Sequence, residues 1–370
     1  MSSSLVRDFL FRRFRAMETY VHELNYLFWE CTVRCNLHCL HCGSDCTANC
    51  GQPDMPAEDF LKAFDTIPKK NLKPPFTVVI TGGEPLTRPD LPDIGKALRQ
   101  RGVGWSIVSN GWLYDEAMHH RLMTAGMGAL TISLDGLEQD HDWMRGREGS
   151  YSRAINAIAI AARQPHLNFD VVTCVNQRNL PHLQAIHDQL VSLGVKQWRI
   201  FTIIPIGRAL QHNELHLSDS QFVSLMDFIS EKRKAANVDK TKQAHKQSSM
   251  NVTFSCEGYL GPYECKVRQT PYFCHAGINI ASVLIDGSIC ACPNIDRERF
   301  SQGNIYNDNL WDVWNTRFKP FRDRRWAKQG LCKDCKVFKN CLGNGMHNWH
   351  NTGNSPINCH YRKIVFNNQP

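Results

Sequence analysis

Short apolar runs alternate with longer amphipathic runs six times between residue 26 and about residue 235. The apolar runs have the length of strands and the amphipathic runs the length of helices. Six strand–helix units in a row predict an α/β fold with a parallel sheet, a partial (β/α)6 TIM-like barrel. Such folds bind ligands at the carboxyl ends of their strands, so we expect the functional residues in the loops there. The predicted strands are Tyr26–Glu30, Phe76–Thr81, Trp105–Ser109, Ala129–Leu134, Phe169–Thr173 and Trp198–Ile204, and the predicted helices lie near 57–68, 90–101, 115–125, 151–164, 180–193 and 217–234.

The composition changes after the sixth unit. Nine of the sixteen cysteines lie in residues 256–370, where glycine and proline are frequent and helical patterning is sparse. This region is predicted to be a small domain held together by metal. It follows a polar, lysine-rich stretch, 236–255, that is predicted to be a linker. Residues 1–25 are predicted to be an N-terminal extension with an amphipathic helix that caps the fold, and residues 26–235 are predicted to be the barrel domain.

Charge and hydropathy exclude several classes of protein. Arginines interrupt the apolar residues of the N-terminus, which is unlike a secretory signal, and no stretch reaches the roughly 18 apolar residues of a membrane span. We therefore expect a cytoplasmic protein, whose thiols stay reduced and whose clustered cysteines bind metal. The net charge of +8 is spread along the chain, which argues against nucleic-acid binding. It suits docking of an acidic electron-donor protein.

Three cysteines stand directly after the first predicted strand, at positions 35, 39 and 42. Cys35, Cys39 and Cys42 can surround an iron–sulfur cubane from one loop, which leaves one iron open to a substrate. The next strand ends in Gly82-Gly83-Glu84-Pro85, where the glycines allow close backbone approach and the carboxylate suits an ammonium group. The alternative is a zinc site whose fourth ligand is Cys31, Cys46 or Cys50.

CxxxCxxC after the first strand and GGEP after the second resemble the radical S-adenosylmethionine (SAM) superfamily. The resemblance implies a [4Fe-4S] cluster on the three cysteines and SAM beside Gly82, Gly83 and Glu84. It also implies an enzyme, an oxidoreductase or peptide maturase, that reductively cleaves SAM to a 5′-deoxyadenosyl radical in an anaerobic setting. No catalytic side chain is identified beyond the cluster.

Further candidate SAM contacts follow from the same resemblance. Ser133, at the end of the fourth strand, inherits a contact with the ribose or carboxylate of SAM. The other candidates are Asn110, Arg145 and Asn176, for which the alternative is a loop residue that satisfies backbone groups. His41 departs from the family, which usually has an aromatic residue at this position.

The C-terminal cysteines are similar to the SPASM domain, a module that holds auxiliary iron–sulfur clusters. The resemblance assigns an outer cluster to Cys332, Cys335, Cys341 and Cys359, and an inner one to Cys274 and Cys292. Gly345 stands where the family has a further inner cysteine, so the inner cluster is incomplete, absent, or completed by Cys256, Cys265 or Cys290. A zinc-binding C-terminal domain is the alternative.

The family resemblance leaves the substrate open. Post-translational modification of a peptide or protein by hydrogen abstraction is the leading hypothesis, with a flavodoxin or ferredoxin as electron donor. The alternatives are a tetrapyrrole enzyme of haem biosynthesis and a non-catalytic iron–sulfur or zinc protein. Pro293 follows Cys292 where sulfatase maturases have an aspartate base, which weakens that assignment. The first strand begins near Tyr26, so we expect no fused leader-binding domain.

Overall fold

The computed structural model describes residues 3–242, 250–255, 257–350 and 353–366. All six predicted strands form, and each pairs in parallel with the next. Their carboxyl ends therefore lie at one edge of the sheet. The strands are β1 Tyr26–Thr32, β2 Thr77–Gly82, β3 Gly104–Ser109, β4 Ala129–Ser133, β5 Asn168–Val175 and β6 Gln197–Thr202.

The predicted helices are also present, and one further helix follows β4. This additional helix, Glu138–Arg145, is too short and too polar to stand out in the sequence, and Gly146 ends it in the left-handed conformation (φ 64°). The helices of this region are α1 Ser3–Val21, α2 Ala57–Phe64, α3 Leu91–Gln100, α4 Glu116–Thr124, α5 Glu138–Arg145, α6 Ser150–Ala162, α7 Leu183–Ser192 and α8 Asp219–Lys242.

Two more parallel strands extend the sheet beyond the six predicted. β7 (Asn251–Phe254) pairs with β6, and β8 (Ile280–Val283) pairs with β1 at the opposite side. The antiparallel strands β9 (Ser288–Cys290) and β10 (Gly303–Asn304) follow β8 at that edge. The sheet order is β10-β9-β8-β1-β2-β3-β4-β5-β6-β7. The C-terminal region thus continues the sheet of the barrel.

The stretch predicted as a linker contains parts of two regular elements. α8 extends to Lys242 and β7 begins at Asn251, while residues 243–249 lie outside the described residues. Within β7 only Val252 and Phe254 are apolar, and both are buried. The sequence does not predict this strand because its pairing with β6 is a long-range contact.

The remaining helices of the C-terminal region are short, as its composition predicts. Aromatic side chains such as Trp314, Phe321 and Trp349 are fully buried among them. Between the helices the chain runs in turns that carry the cysteines. The helices are α9 Arg297–Phe300, α10 Leu310–Thr316, α11 Lys319–Arg322, α12 Phe338–Cys341 and α13 His360–Phe366.

Aromatic packing sets the distance between helices and sheet. Trp29 of β1 stacks on Phe60 of α2, with ring centroids 4.2 Å apart. Trp105 of β3 lies against Gly95 of α3, where a Cβ atom would come within 2.3 Å of the indole ring. Glycine at this position therefore allows α3 to approach the sheet this closely.

The N-terminal extension forms helix α1, which is attached to the C-terminal region. The Arg15 guanidinium donates to the carbonyl oxygens of Lys339 and Asn340, each at 2.6 Å. Phe9 and Leu10 lie exposed on this helix. Over the described residues, no helix combines the length and the apolar character that crossing a membrane requires.

Candidate active site

The loop after β1 carries Cys35, Cys39 and Cys42 at the carboxyl edge of the sheet. The amide of Cys35 donates to the carbonyl of Thr47 at 3.0 Å, which closes the loop. Cys35 and Cys39 are buried and Cys42 is half-buried. All three line one cavity of about 580 Å³. The structure therefore brings together the three cysteines that the sequence singles out.

Two side chains from other loops donate toward these thiols. Asn110 Nδ2 lies 3.8 Å from Cys35 Sγ, and Arg145 Nη1 lies 3.7 Å from Cys39 Sγ. Burial raises the pKa of Cys35 to about 12, so an ionised thiol here needs nearby positive charge. Three thiols on one cavity wall with N–H donors beside them fit the ligand set of a [4Fe-4S] cluster.

Gly82 and Gly83 allow the end of β2 to touch the cysteine loop. A Cβ atom on Gly82 would lie 2.1 Å from the carbonyl oxygen of Thr32, and one on Gly83 would lie 2.2 Å from that of Arg34. The amide of Gly83 instead donates to the Thr32 carbonyl at 2.8 Å. Both glycines line the cavity, as expected for residues beside a bound cofactor.

Glu84, predicted to lie beside SAM, has a carboxylate that is bonded by groups of the chain. Its side chain is fully buried, and its carboxylate accepts hydrogen bonds from Leu86 N at 3.1 Å, Ser109 Oγ at 3.0 Å and Asn110 N at 2.7 Å. Burial raises the pKa of Glu84 to about 7, and these hydrogen bonds oppose that rise. Glu84 does not belong to the described residues that line the cavity. These three hydrogen bonds occupy acceptor sites of the Glu84 carboxylate. The bonds from Ser109 and Asn110 also hold the end of β2 against the end of β3.

The other candidate SAM contacts divide into two groups. Ser133, Asn110 and Arg145 all line the cavity. Asn176 does not line it within the described part of the chain: it is buried, and its Oδ1 accepts from the amides of Arg178 at 2.8 Å and Asn179 at 3.1 Å. Asn176 thus satisfies backbone groups of its own loop, which is the alternative that the sequence leaves open.

Asp135 organises a buried polar network that the sequence does not predict. Its Oδ2 lies 2.6 Å from Arg145 Nη2 and 3.6 Å from His41 Nε2, and its Oδ1 accepts from Cys174 N at 2.8 Å. Burial alone would raise the pKa of Asp135, but the Arg145 guanidinium and the nearby imidazoles lower it below the usual value. The network fixes Arg145 beside Cys39. The only signal in the sequence is that Asp135 lies two residues after the end of β4.

His141 gives this network a pH dependence. The imidazole is fully buried, its Nδ1 accepts from the amide of Asp135 at 3.0 Å, and burial lowers its pKa to about 3. Below about pH 6.5 the unfolded chain binds a proton at this residue that the folded chain does not bind, so stability falls as the pH falls. We expect His141 to contribute a slope of up to about 1.4 kcal/mol per pH unit between its unfolded and folded pKa values.

Urea denaturation from pH 7 to pH 5 tests this expectation. His141→Asn should unfold with a shallower pH dependence than the native chain, because Asn retains no group that titrates in this range. His120→Asn, at an exposed position on α4, is the matched control and should keep the native slope. Equal slopes for the native chain and His141→Asn would contradict the assignment.

The four outer cysteines of the C-terminal region lie close enough to interact electrostatically. Burial and the neighbouring thiolates of Cys359, Cys332 and Cys335 raise the pKa of Cys341 to about 12. The amide of Asn344 lies 3.1 Å from Cys341 Sγ and is a hydrogen-bond donor to it. A site of four thiols with an amide donor fits a fully enclosed iron–sulfur cluster.

The two predicted inner ligands border different spaces. Cys292 lines the large cavity, next to Pro293. Cys274 is half-buried and lines a cavity of about 20 Å³ together with Cys341 and Asn344. Of the three possible substitutes, Cys256 lies outside the described residues.

The other cysteines of the first region lie in four environments. Cys31 is buried in β1, and burial raises its pKa. Cys50 is half-buried and its thiol lies 3.5 Å from the carbonyl of Gln52. Cys46 is buried beside Cys42, and its hydrogen bond lowers the pKa of Cys42 to about 5. Cys174, at the end of β5, lines the cavity and is a functional candidate that the sequence does not single out.

The comparison with protein families agrees with both cysteine clusters. The model of the radical SAM superfamily matches residues 29–190, and that of the SPASM iron–sulfur cluster-binding domain matches residues 274–336. The chain belongs to the radical SAM superfamily. Its SPASM domain makes it a radical SAM enzyme with auxiliary iron–sulfur binding, so the zinc and non-catalytic alternatives are set aside.

The names of similar proteins refer to two different products, heme and mycofactocin. The chain is 25% identical to an AdoMet-dependent heme synthase of Methanosarcina barkeri over 327 residues, which cover 85% of this chain and 89% of the relative. It is 27% identical to the mycofactocin maturase MftC of Mycobacterium ulcerans over 341 residues, 90% and 86% of the two chains. The fold matches Streptococcus suis SuiB bound to the precursor peptide SuiA, with a TM-score of 0.68, 16% identity and coverage of 91% and 76%.

The cofactors of the enzyme are a [4Fe-4S] cluster, SAM and auxiliary iron–sulfur. Together the cluster and SAM supply reductive cleavage of SAM and abstraction of a hydrogen atom from a substrate. The chain's own residues bind and orient these groups. Cys35, Cys39 and Cys42 would hold the cluster, while Gly82, Gly83 and Ser133 line the part of the cavity beside it.

Proposed function

We propose that this enzyme modifies a side chain of a peptide or protein by abstracting a hydrogen atom from it. The observation that carries the proposal is the size of the cavity, about 580 Å³. Pockets that bind one drug-sized ligand have volumes of about 300–1,000 Å³, and SAM is a ligand of that class. We infer that SAM and the cluster take most of this cavity, so a substrate that inserts one side chain suits it better than a whole tetrapyrrole.

The border of the cavity supports a substrate whose main part stays outside. Asn294 and Glu298 line the cavity and are exposed, while Asp296 between them is buried and caps α9. Exposed amide and carboxylate groups suit hydrogen bonds with a peptide backbone. MftC and the SuiB–SuiA complex are relatives that act in peptide maturation or bind a precursor peptide.

The heme synthase of Methanosarcina barkeri supports a tetrapyrrole substrate as the second candidate. Three arginines line the cavity and offer cationic partners for propionate groups: Arg145, Arg208 and Arg297. All three are already engaged in ion pairs, however: Arg145 pairs with Asp135 and Arg208 with Asp45, each at 2.6 Å. Arg297 also pairs with Glu30 at 3.2 Å. These ion pairs favour the peptide over the tetrapyrrole.

For the electron donor we propose a flavodoxin or ferredoxin in the cytoplasm. The net charge of +8 supports docking of an acidic protein. The sixteen cysteines, many of them clustered at the spacing of metal ligands, support a reducing compartment.

Hydrogen transfer from the substrate tests the proposed function. Reconstituted enzyme, SAM and dithionite are incubated anaerobically with deuterated peptides encoded beside the gene, or with Fe-coproporphyrin III. We expect a peptide to pass deuterium into 5′-deoxyadenosine and to change in mass, while the porphyrin stays unchanged. Conversion of the porphyrin with no transfer from any peptide would overturn the proposal and favour the second candidate.

A further inference from the structure

The space at Gly345 is occupied in a way that explains the missing cysteine. A Cβ atom on Gly345 would lie 2.5 Å from Cε1 and 3.0 Å from Nδ1 of His347, and 2.8 Å from the carbonyl oxygen of Glu257. The imidazole of His347 therefore lies where a side chain at position 345 would project. A cysteine at 345 and the observed His347 ring exclude each other sterically.

The imidazole of His347 has a ring nitrogen that could bind a metal. Its Nε2 is buried without a hydrogen-bond partner in the part of the chain that the structure describes. Burial lowers the pKa of His347 to about 4, so the ring is neutral at physiological pH. A buried polar atom without a partner costs free energy unless another group satisfies it. The ring lines the large cavity together with Cys292, one of the two predicted inner ligands.

The alternative cysteines are less well placed. Cys290 is fully buried in β9. Cys265 lies near Arg7 and Asp8 of α1, whose charges influence its pKa. Neither residue is among the described residues that line the cavity with Cys292. His347 is thus the described side chain that best matches the missing ligand.

We propose that His347 is a nitrogen ligand of the inner auxiliary cluster, to which the family resemblance assigns Cys274 and Cys292, in place of the thiolate that the SPASM family has at position 345. The proposal rests on membership in the SPASM family and is independent of the substrate. A neutral imidazole in place of a thiolate makes the cluster less negative and raises its reduction potential, as histidine ligation does in Rieske centres.

Pulsed electron paramagnetic resonance of the full chain tests the proposal. Reconstituted protein is reduced without SAM, whose amine would add a nitrogen coupling of its own at the radical SAM cluster. We expect a strong nitrogen hyperfine coupling that changes with isotope-labelled histidine. His347→Ala should lose this coupling and the iron of one cluster.

Two further variants make the result independent of folding defects. His350→Ala is the matched control, because His350 lines the same cavity but its Nε2 already has a partner, the carbonyl of Asn294 at 3.1 Å. It should keep both the coupling and the iron. The double variant Gly345→Cys/His347→Ala should regain the iron without the coupling, at a lower reduction potential. A native spectrum without histidine coupling, or His347→Ala with native iron and coupling, would overturn the proposal.

Discussion

Replacing Cys39 with alanine is expected to abolish SAM cleavage. The anaerobically reconstituted variant should form no 5′-deoxyadenosine above the background of SAM and dithionite alone. The reason is that Cys39 is one of the three thiols of this loop that would bind the cluster. Its thiol is buried, and the N–H group of Arg145 lies 3.7 Å from its sulfur atom. Liquid chromatography with mass detection of 5′-deoxyadenosine measures the effect.

Iron content separates this loss of a cluster from a loss of folding. Cys39→Ala should lose the iron of one cluster and keep the auxiliary iron bound by the SPASM domain. Cys50→Ala is the matched control, since Cys50 is a half-buried thiol close in sequence whose contact is with Gln52. It should form 5′-deoxyadenosine at the native rate. Activity in Cys39→Ala would contradict the assignment of the cluster.

The sheet and the cysteine loop could be predicted because their signals are local. Each strand from β1 to β6 contains a short cluster of large apolar residues, and amphipathic helical segments separate these clusters along the chain. Cys35, Cys39 and Cys42 lie within one loop, so their spacing in the sequence already limits their distance in space. Gly82 and Gly83 could be predicted for the same reason, since they end a strand next to that loop.

The parts that could not be predicted depend on contacts between distant segments. β8 joins the sheet beside β1 although some 250 residues separate them, and no local pattern reports such a pairing. The carboxylate of Glu84 accepts hydrogen bonds from Ser109 and Asn110 at the end of the next strand. These contacts join two strand ends, so no local pattern reports them. His347 was not singled out because its significance depends on the backbone geometry at Gly345.

The largest effect on stability is expected from Arg145→Met. Arg145 and Asp135 form a buried ion pair at 2.6 Å, and both side chains are almost completely inaccessible. Removing the guanidinium leaves the Asp135 carboxylate buried without its main counter-charge. Loss of one partner from a buried pair costs about 3–5 kcal/mol in the free energy of unfolding. Urea denaturation at neutral pH measures this loss, and Arg163→Met, at an exposed ion pair with Glu116, should change it by less than about 1 kcal/mol.

A double variant distinguishes a structural role of this pair from a role in the chemistry. Asp135→Asn/Arg145→Met removes both charges, so most of the lost free energy of unfolding should return, because no uncompensated charge is left in the interior. Arg145→Met is also expected to lose SAM cleavage, because it removes the N–H donor beside Cys39 Sγ, and the double variant should not regain this activity because the donor is still missing. Recovery of both properties would mean that Arg145 acts only by neutralising Asp135. Recovery of stability alone would mean that its position against the cysteine loop is what the reaction requires.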